Sequence, residues 1–325
     1  MKLIDFIITF GESAIREPNK YLIPGHNGPY NDPETPVRNK GHWLIILGRI
    51  FQITGDSKYL NTVGSLADDL YSHEARPHGY SFYHRSIEGK DNCNGLIGQA
   101  WTFEALTCAS SILDDTQYAE VAEEVFFQHK FNEKYGLWNR LEIEGDILSV
   151  DDTFNHQLWF AACASLLKMR RQEEVRKRVF RFMDCLPQNL SVLENGLIYH
   201  PIERQLNQTD SGGSTKFRLL KFAKTSLSFL RAIDGTTNDS NQMYREKMIN
   251  KSVGYHQFNM YAFALLKESV PDHPFWQSFE LQESINYLVS DEFKNEVSEN
   301  IYGFPYNPPG FEVPYALSVL ANLSV

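Results

Sequence analysis

The chain has 325 residues, 42% of them hydrophobic, and sets 41 Asp and Glu against 31 Lys and Arg for a formal net charge of −10. A chain of this length buries a large core. Its acidity and the lack of any Lys/Arg run exclude nucleic acid or an anionic membrane surface as its natural partner.

Residues 2–16 read as an amphipathic helix. The apolar start, Met1 to Phe10, is broken by Asp5 and is too short for a secretory signal or a membrane-spanning helix. A loop rich in Pro, Gly and Asn covers 17–37. Helices follow at about 38–53 and 57–72, joined by a tight Gly55-Asp56 turn. After a long loop containing Gly79-Tyr-Ser-Phe-Tyr-His84, helices are expected at about 92–113 and 116–129, with Asp114-Asp115 between them. The alternating stretch Gly136-Leu-Trp-Asn-Arg-Leu-Glu-Ile-Glu-Gly145 reads as a β-hairpin. Helices follow at about 152–169 and 172–186. Then come a long loop to 215, helices at about 216–233, 239–251, 255–267 and 275–290, a last long loop over 291–309, and a final helix at about 311–323.

Trp43, Trp101, Trp159 and Phe217 are evenly spaced at 58 residues, each early in a helix-like segment. Gln99-Ala-Trp101, Gln157-Leu-Trp159 and Gln257-Phe-Asn259 repeat a Gln-x-(Trp/Asn) core. A fixed period of helix, short turn, helix and long loop marks a repeat of helical hairpins. About twelve helices make six hairpins. The expected fold is therefore an all-α, (α/α)6 toroid forming one domain over 1–325, with the Trp-bearing helices inside and the long loops gathered on one face. Cys93, Cys108, Cys163 and Cys185 form no CxxC and sit mostly in helix patterns. They read as reduced packing residues of a cytoplasmic protein, in which the sequon at Asn207 carries no glycan.

The starts of the expected inner helices carry His42, Trp43, Asp91, Asn92, Asn94, Gln99, Trp101, Asp151, Asp152, Asn155, His156, Trp159, His256 and Asn259; the loops add Arg38, His84 and His200. Aromatic rings mixed with amides, imidazoles and carboxylates suit a sugar: rings take its apolar face and polar groups take its hydroxyls. Carboxylates among apolar rings can have raised pKa values, as general acid catalysis near neutrality requires. Each feature also has a plain structural reading, with the tryptophans packing the core and an aspartate capping a helix. No His/Cys set has zinc-ligand spacing, so neither metal nor cofactor is expected. Asp151-Asp-Thr-Phe-Asn155 lacks the setting and second motif of a magnesium-dependent terpene cyclase.

The chain resembles the six-hairpin glycosidase superfamily, most of all the unsaturated glucuronyl and rhamnogalacturonyl hydrolases. The resemblance is carried by Asp151-Asp-Thr-Phe-Asn155 before an apolar run and by Gly196-Leu-Ile-Tyr-His200. Asp91-Asn-Cys-Asn-Gly-Leu-Ile-Gly-Gln-Ala-Trp101 is similar to glycan-processing proteins of N-glycosylation and surface-polysaccharide clusters. The resemblance implies a hydrolase of a uronic-acid-containing oligosaccharide or polysaccharide. Asp151 would be the acid/base, Asp91 or Asp152 its partner, and His200 would hold the sugar. Sugar epimerases of the same toroid, using histidines such as His156 and His256, are a second expectation. A non-catalytic glycan-binding protein is a third.

Overall fold

The computed structural model describes residues 3–203 and 237–321. Phe217, Asn207 and the helix expected over about 216–233 lie outside the described residues. The described chain falls into two compact units that alternate along the sequence. The first takes the residues up to Phe131, Arg140–Gly145 and Trp159–Val179; the second takes Asn132–Asn139, Asp146–Leu158 and the chain from Phe180 on.

The first unit holds α1 (Leu3–Arg16), the short α2 (Pro18–Tyr21), α3 (Pro36–Thr54), α4 (Ser57–Tyr71), α5 (Gly95–Leu113) and α6 (Gln117–Gln128). Thr35 caps α3 through the Val37 N–H, with Pro36 at the first helical position. Gly55 closes α3 at φ 69°, and Asp56 caps α4 by accepting from Lys58 N–H. A cap of this kind contributes about 1 kcal/mol. Asp114, at φ 53°, ends α5 in the left-handed conformation that Asp tolerates better than most residues. Gly41 and Gly48 lie two turns apart on α3. A Cβ at Gly41 would meet Ala105 at 3.4 Å, and one at Gly48 would meet Ile112 at 2.5 Å, so both glycines let α5 lie close. Phe10 of α1 packs on Trp43, with ring centroids 5.1 Å apart.

The expected hairpin is a small sheet of β1 (Phe131–Asn132), β2 (Leu137–Leu141) and β3 (Ile147–Val150), in that order. It leads to α7 (Phe154–Ala164) and α8 (Gln172–Asp184). α7 is shorter than expected: beyond it the chain tightens, with Leu166 N–H and Leu167 N–H bonding three residues back to Cys163 and Ala164.

The second unit continues with α9 (Leu186–Asn189), α10 (Thr237–Ser269), α11 (Phe279–Val289), α12 (Asp291–Ser298) and α13 (Pro309–Leu320). Two helices were expected where α10 runs unbroken. Gly254, at the expected break, serves close packing: a Cβ would come within 2.5 Å of Tyr302 and 2.7 Å of Asn300. α12 was expected as loop. Ser290 caps it by accepting from Phe293 N–H, with Asp291 and Glu292 in its first turn. The end of α10 runs beside α13 in the same direction. Asn307 Nδ2 bonds the Gly254 carbonyl, the Tyr261 and Tyr315 rings are 4.9 Å apart, and Lys267 Nζ bonds the Val319 carbonyl.

Candidate active site

The repeated glutamine is a clamp. Gln99 accepts from Phe82 N–H through Oε1 and donates from Nε2 to the carbonyls of Phe82 and Cys93. Gln157 treats Trp138 and Asp151 in the same way, accepting from Trp138 N–H and donating to both carbonyls. Gln257 donates to the Gly254 and Asn307 carbonyls. All three are fully buried. Expected to touch substrate, Gln99 instead spends its amide on the loop that enters its helix, because a buried loop backbone needs partners for its own N–H and C=O groups.

Held by its clamp, Asp151 lies just ahead of α7 in the second unit. Its Oδ1 accepts from Thr153 N–H at 3.2 Å, and its Oδ2 pairs with His156 Nδ1 at 2.9 Å. Asp151 is 4% exposed, while the His156 side chain keeps 25% of its surface. Both carboxylate oxygens are thus engaged, and Asp151 acts first on the imidazole. With a proton on Nδ1 facing the carboxylate, the lone pair of the His156 ring lies on Nε2.

His200 comes to the same place through the backbone. Phe154 N–H bonds the His200 carbonyl at 2.9 Å, Ile202 N–H bonds the Asp152 carbonyl at 2.8 Å, and Thr153 bridges Pro201. Gly196, at φ 92°, lets this loop press on α11, where a Cβ would fall 2.2 Å from the Glu283 carbonyl. Ser252 Oγ accepts from His200 N–H, and the His200 ring lies 4.9 Å from Tyr255. Burial lowers the His200 imidazole to about 3, helped by the nearby charges of His156 and Lys251 and opposed by Asp151. His200 is therefore neutral at physiological pH, and its buried Nδ1 has no partner. Asn155 on α7 is 2% exposed, and its Oδ1 is likewise unmet.

Asp91, in the first unit, is differently placed. Its Oδ1 accepts from Gly95 N–H at the start of α5 and from Arg85 Nη2, and its Oδ2 takes Arg140 Nη1 at 2.5 Å. Cys93 Sγ also points at Oδ1. Four donors occupy this carboxylate, so it anchors a loop and two guanidiniums rather than presenting a proton to a sugar. Glu142 receives Asn92 N–H and Ile143 N–H; burial raises its carboxyl, and Asp91 adds to the rise.

Trp101 is enclosed. The Arg38 guanidinium lies 4.2 Å over its ring, His42 is 5.5 Å away, and His84 meets it edge-on at 6.4 Å. Arg38 bonds Glu34 at 2.7 Å and reaches His42 Nε2 at 3.4 Å. His84 bonds Thr102 through Nε2 and rests on Gly98, where a Cβ would fall 2.8 Å from the ring. Burial, reinforced by Arg38, lowers both His42 and His84 to about 3.

The other expected residues divide. His256 is a core residue: its Nδ1 accepts from Ile198 N–H and its Nε2 bonds the Ser284 carbonyl, so neither nitrogen is available for acid–base work. Trp43 packs on Phe10, and Trp159 is 4% exposed. Asn92 offers main-chain groups, its carbonyl taking His84 and Arg85 N–H. Asn94 turns the chain into α5 at φ 55°. Asn259 is 1% exposed, and neither atom of its amide has a partner. Asp152 is exposed, and its carbonyl accepts from Ile202 N–H. The roles of Arg85 and Arg140 had no signal in the sequence: Arg85 lies in the loop six residues before Asp91, and Arg140 lies in β2, 49 residues beyond it. Among the described residues no group of three His, Cys, Asp or Glu side chains could hold a metal, and no helix is long and apolar enough to cross a membrane.

Over 323 residues the chain is 40% identical to the archaeal glycosylation protein Q of Haloferax volcanii, covering 98% of this chain and 85% of that protein. A sugar epimerase from a ruminal bacterium superposes with a TM-score of 0.56 at 11% identity, over 92% of this chain and 72% of that one. The unsaturated glucuronyl hydrolase of Bacillus sp. GL1 gives a TM-score of 0.52 at 13% identity, over 98% and 79%. No family model matches the chain. The helical toroid of six-hairpin glycosidases expected from the sequence is the fold shared with these structures.

Proposed function

Because the chain belongs to the family of the archaeal glycosylation protein Q, we propose that it is a carbohydrate-active enzyme whose acid–base centre is Asp151, His156 and His200. The reaction assigned is proton transfer at a sugar carbon beside a carbonyl, which is epimerisation or isomerisation of an aldose, ketose or uronic acid. Its four cysteines, three of them buried, suit a reducing, cytoplasmic location.

The observation that carries this reading is the backbone pairing of Thr153 and Phe154 with Pro201 and His200, which brings two unlike imidazoles into one neighbourhood. His156 has a carboxylate 2.9 Å from Nδ1, so the imidazolium formed when Nε2 takes a proton is stabilised. His200 is held neutral by burial. A neutral imidazole can polarise a carbonyl by donating a hydrogen bond to it. In the proposed step, His156 Nε2 removes the proton, the C–H electrons form a carbon–carbon double bond, and the carbonyl oxygen becomes an enediolate oxygen facing His200. Return of a proton to the other face of the same carbon, with the enediolate electrons re-forming the carbonyl, gives an epimer; return to the neighbouring carbon, with the hydroxyl proton passing from one enediolate oxygen to the other, gives an isomer.

Hydrolysis with Asp151 as the acid/base is the second reading. It is favoured by the pairing of Thr153 with Pro201, which joins the two segments carrying the glucuronyl hydrolase resemblance. Mass spectrometry and NMR of products from monosaccharides and oligosaccharides separate the two. An isomeric product of unchanged mass, lost in His156→Asn, is expected. A product pair that together gains one water would replace proton transfer by hydrolysis.

A further inference from the structure

An imidazole that acts on a substrate is ordinarily oriented by a hydrogen bond to one of its ring nitrogens. His156 is oriented so by Asp151. His84 is held by Thr102, His256 by Ile198 N–H and the Ser284 carbonyl, and His273 by Phe275 N–H. His200 is the exception. Its buried Nδ1 has no partner. Its hydrogen bonds to described residues are made by its main chain: its N–H donates to Ser252 Oγ at 2.8 Å, and its carbonyl accepts from Phe154 N–H at 2.9 Å. Packing therefore fixes the plane of its ring.

The ring that packs on it is Tyr255, with centroids 4.9 Å apart and planes 41° apart. Ser252 and Tyr255 stand three residues apart on α10 and share one of its faces, so His200 is held there by its backbone and by its ring. Tyr255 is braced in turn. Tyr302 lies 6.0 Å from it, Tyr306 meets it edge-on at 6.1 Å, and the hydroxyls of Tyr255 and Tyr306 are 3.4 Å apart. Both braces come from the loop between α12 and α13, which is tied to α10. Asn300 Nδ2 donates to the Asn250 carbonyl at 2.8 Å, and its Oδ1 accepts from Tyr302 N–H at 2.9 Å. Asn307 Nδ2 donates to the carbonyls of Gly254 and Tyr302. Such anchoring holds an aromatic stack at one setting, as the support of a reacting group requires.

We propose that Tyr255 is a positioning residue for His200: its ring, braced by Tyr302 and Tyr306, sets the plane in which the imidazole meets the carbonyl oxygen of the sugar. Tyr255 is 6% exposed and His200 9%, so the contact is nearly dry. That accords with an imidazole lowered by burial to about 3. Asp151 and His156, at the start of α7, and Lys251, on α10 with Tyr255, are the charged and titratable groups that act on it. The use of the imidazole in a reaction rests on the acid–base reading above; the hold on its ring does not.

The test is long-range hydrogen–nitrogen NMR of the imidazoles in the full chain, with His200→Gln to assign the signals, beside steady-state kinetics on whichever sugar turns over. The parent, Tyr255→Leu and Tyr255→Phe are compared, each checked for folding by a melting curve. In the parent, nuclear Overhauser contacts should join the ring hydrogens of His200 and Tyr255, and the His200 nitrogens should keep the neutral pattern from about pH 7.5 to about pH 5. Tyr255→Leu admits water beside the ring, so His200 should begin to gain a proton within that window. With the plane released, kcat should fall about 10- to 100-fold while KM moves less than about threefold. Tyr255→Phe keeps the ring and should restore both the neutral pattern and most of the turnover. Missing ring-to-ring contacts in the parent overturn the proposal without any variant. So does a Tyr255→Leu protein that melts lower yet keeps the parent's His200 spectrum and kcat, the mark of a merely structural residue. If the spectrum changes as expected and no sugar is isomerised, the hold on the ring stands and the reaction assigned above fails. If Tyr255→Leu forms product at the parent's rate, the positioning role fails and the acid–base centre stands.

Discussion

Asp91 and Asp151 each stand shortly before a helix whose glutamine, Gln99 or Gln157, grips the incoming loop through three hydrogen bonds to main-chain groups. The scaffold is the same; the company differs. Asp91 faces Arg85, Arg140 and the start of α5, whereas Asp151 faces a partly exposed imidazole. An aspartate between two permanent cations is an anchor. An aspartate against a titratable ring can tune a proton carrier. The comparison teaches that the repeat dictates where a carboxylate sits, and that its neighbours decide what it does.

The largest effect should come from Asp151 and His156. Asp151→Asn keeps an acceptor for Thr153 N–H but no longer stabilises an imidazolium. It should melt close to the parent and lose about two to four orders of magnitude in turnover, as should His156→Asn. Asp152→Asn, at an exposed side chain, should retain nearly full turnover. Steady-state kinetics on whichever sugar turns over gives the answer, and full activity in Asp151→Asn would erase the distinction between the two junctions.

Asp91→Ala should act on stability instead. It strands two guanidiniums that are mostly buried, and loss of one partner of such a pair costs about 3 kcal/mol. Denaturant melts should show that loss; a stable but inactive Asp91→Ala would make Asp91 a catalytic residue after all.

If the clamps are equivalent, Gln99→Ala and Gln157→Ala should each destabilise by about 2 kcal/mol, since each leaves buried main-chain groups unpaired. Urea midpoints measure both, and a large difference between them would show that one loop does not depend on its glutamine.

A further test is acid sensitivity. His84, whose N–H meets the Asn92 carbonyl in the first unit, and His200, in the second, are both lowered by burial from 6.5 to about 3. Between those values the unfolded chain binds protons that the folded chain excludes, so stability is complete above pH 6.5 and declines as the pH falls toward 3. Unfolding free energy should drop by at least about 1 kcal/mol between pH 7.5 and pH 5. A flat profile would mean that these imidazoles are not held neutral.

Much of the architecture was legible because helix ends are local. Gly55-Asp56 and Asp114-Asp115 announce their turns, and the 58-residue spacing announces the repeat. The break expected between about 251 and 255 does not occur, because Gly254 there lets Tyr302 and Asn300 pack against the helix, a tertiary contact that the local sequence does not carry. Ser290-Asp-Glu, at the start of the stretch expected as a loop, is a local helix-start signal, and α12 begins there. At the candidate site, residue types were legible and roles were not. Gln99 and His256 have the chemistry to bind a sugar, but tertiary partners consume it. The pairing of Asp151 with His156 depends on a turn, and that of Asp91 with Arg140 on a contact 49 residues away in sequence.

The central claim is that His156, backed by Asp151, moves a proton on and off a sugar carbon. The direct measurement is incubation of the protein in D2O with aldoses, ketoses and uronic acids, followed by NMR of the carbon-bound hydrogens. The account predicts deuterium at the position beside the carbonyl with the parent protein, and none with His156→Asn. Turnover of a sugar with no deuterium entering any carbon position, or equal labelling by His156→Asn, would contradict it.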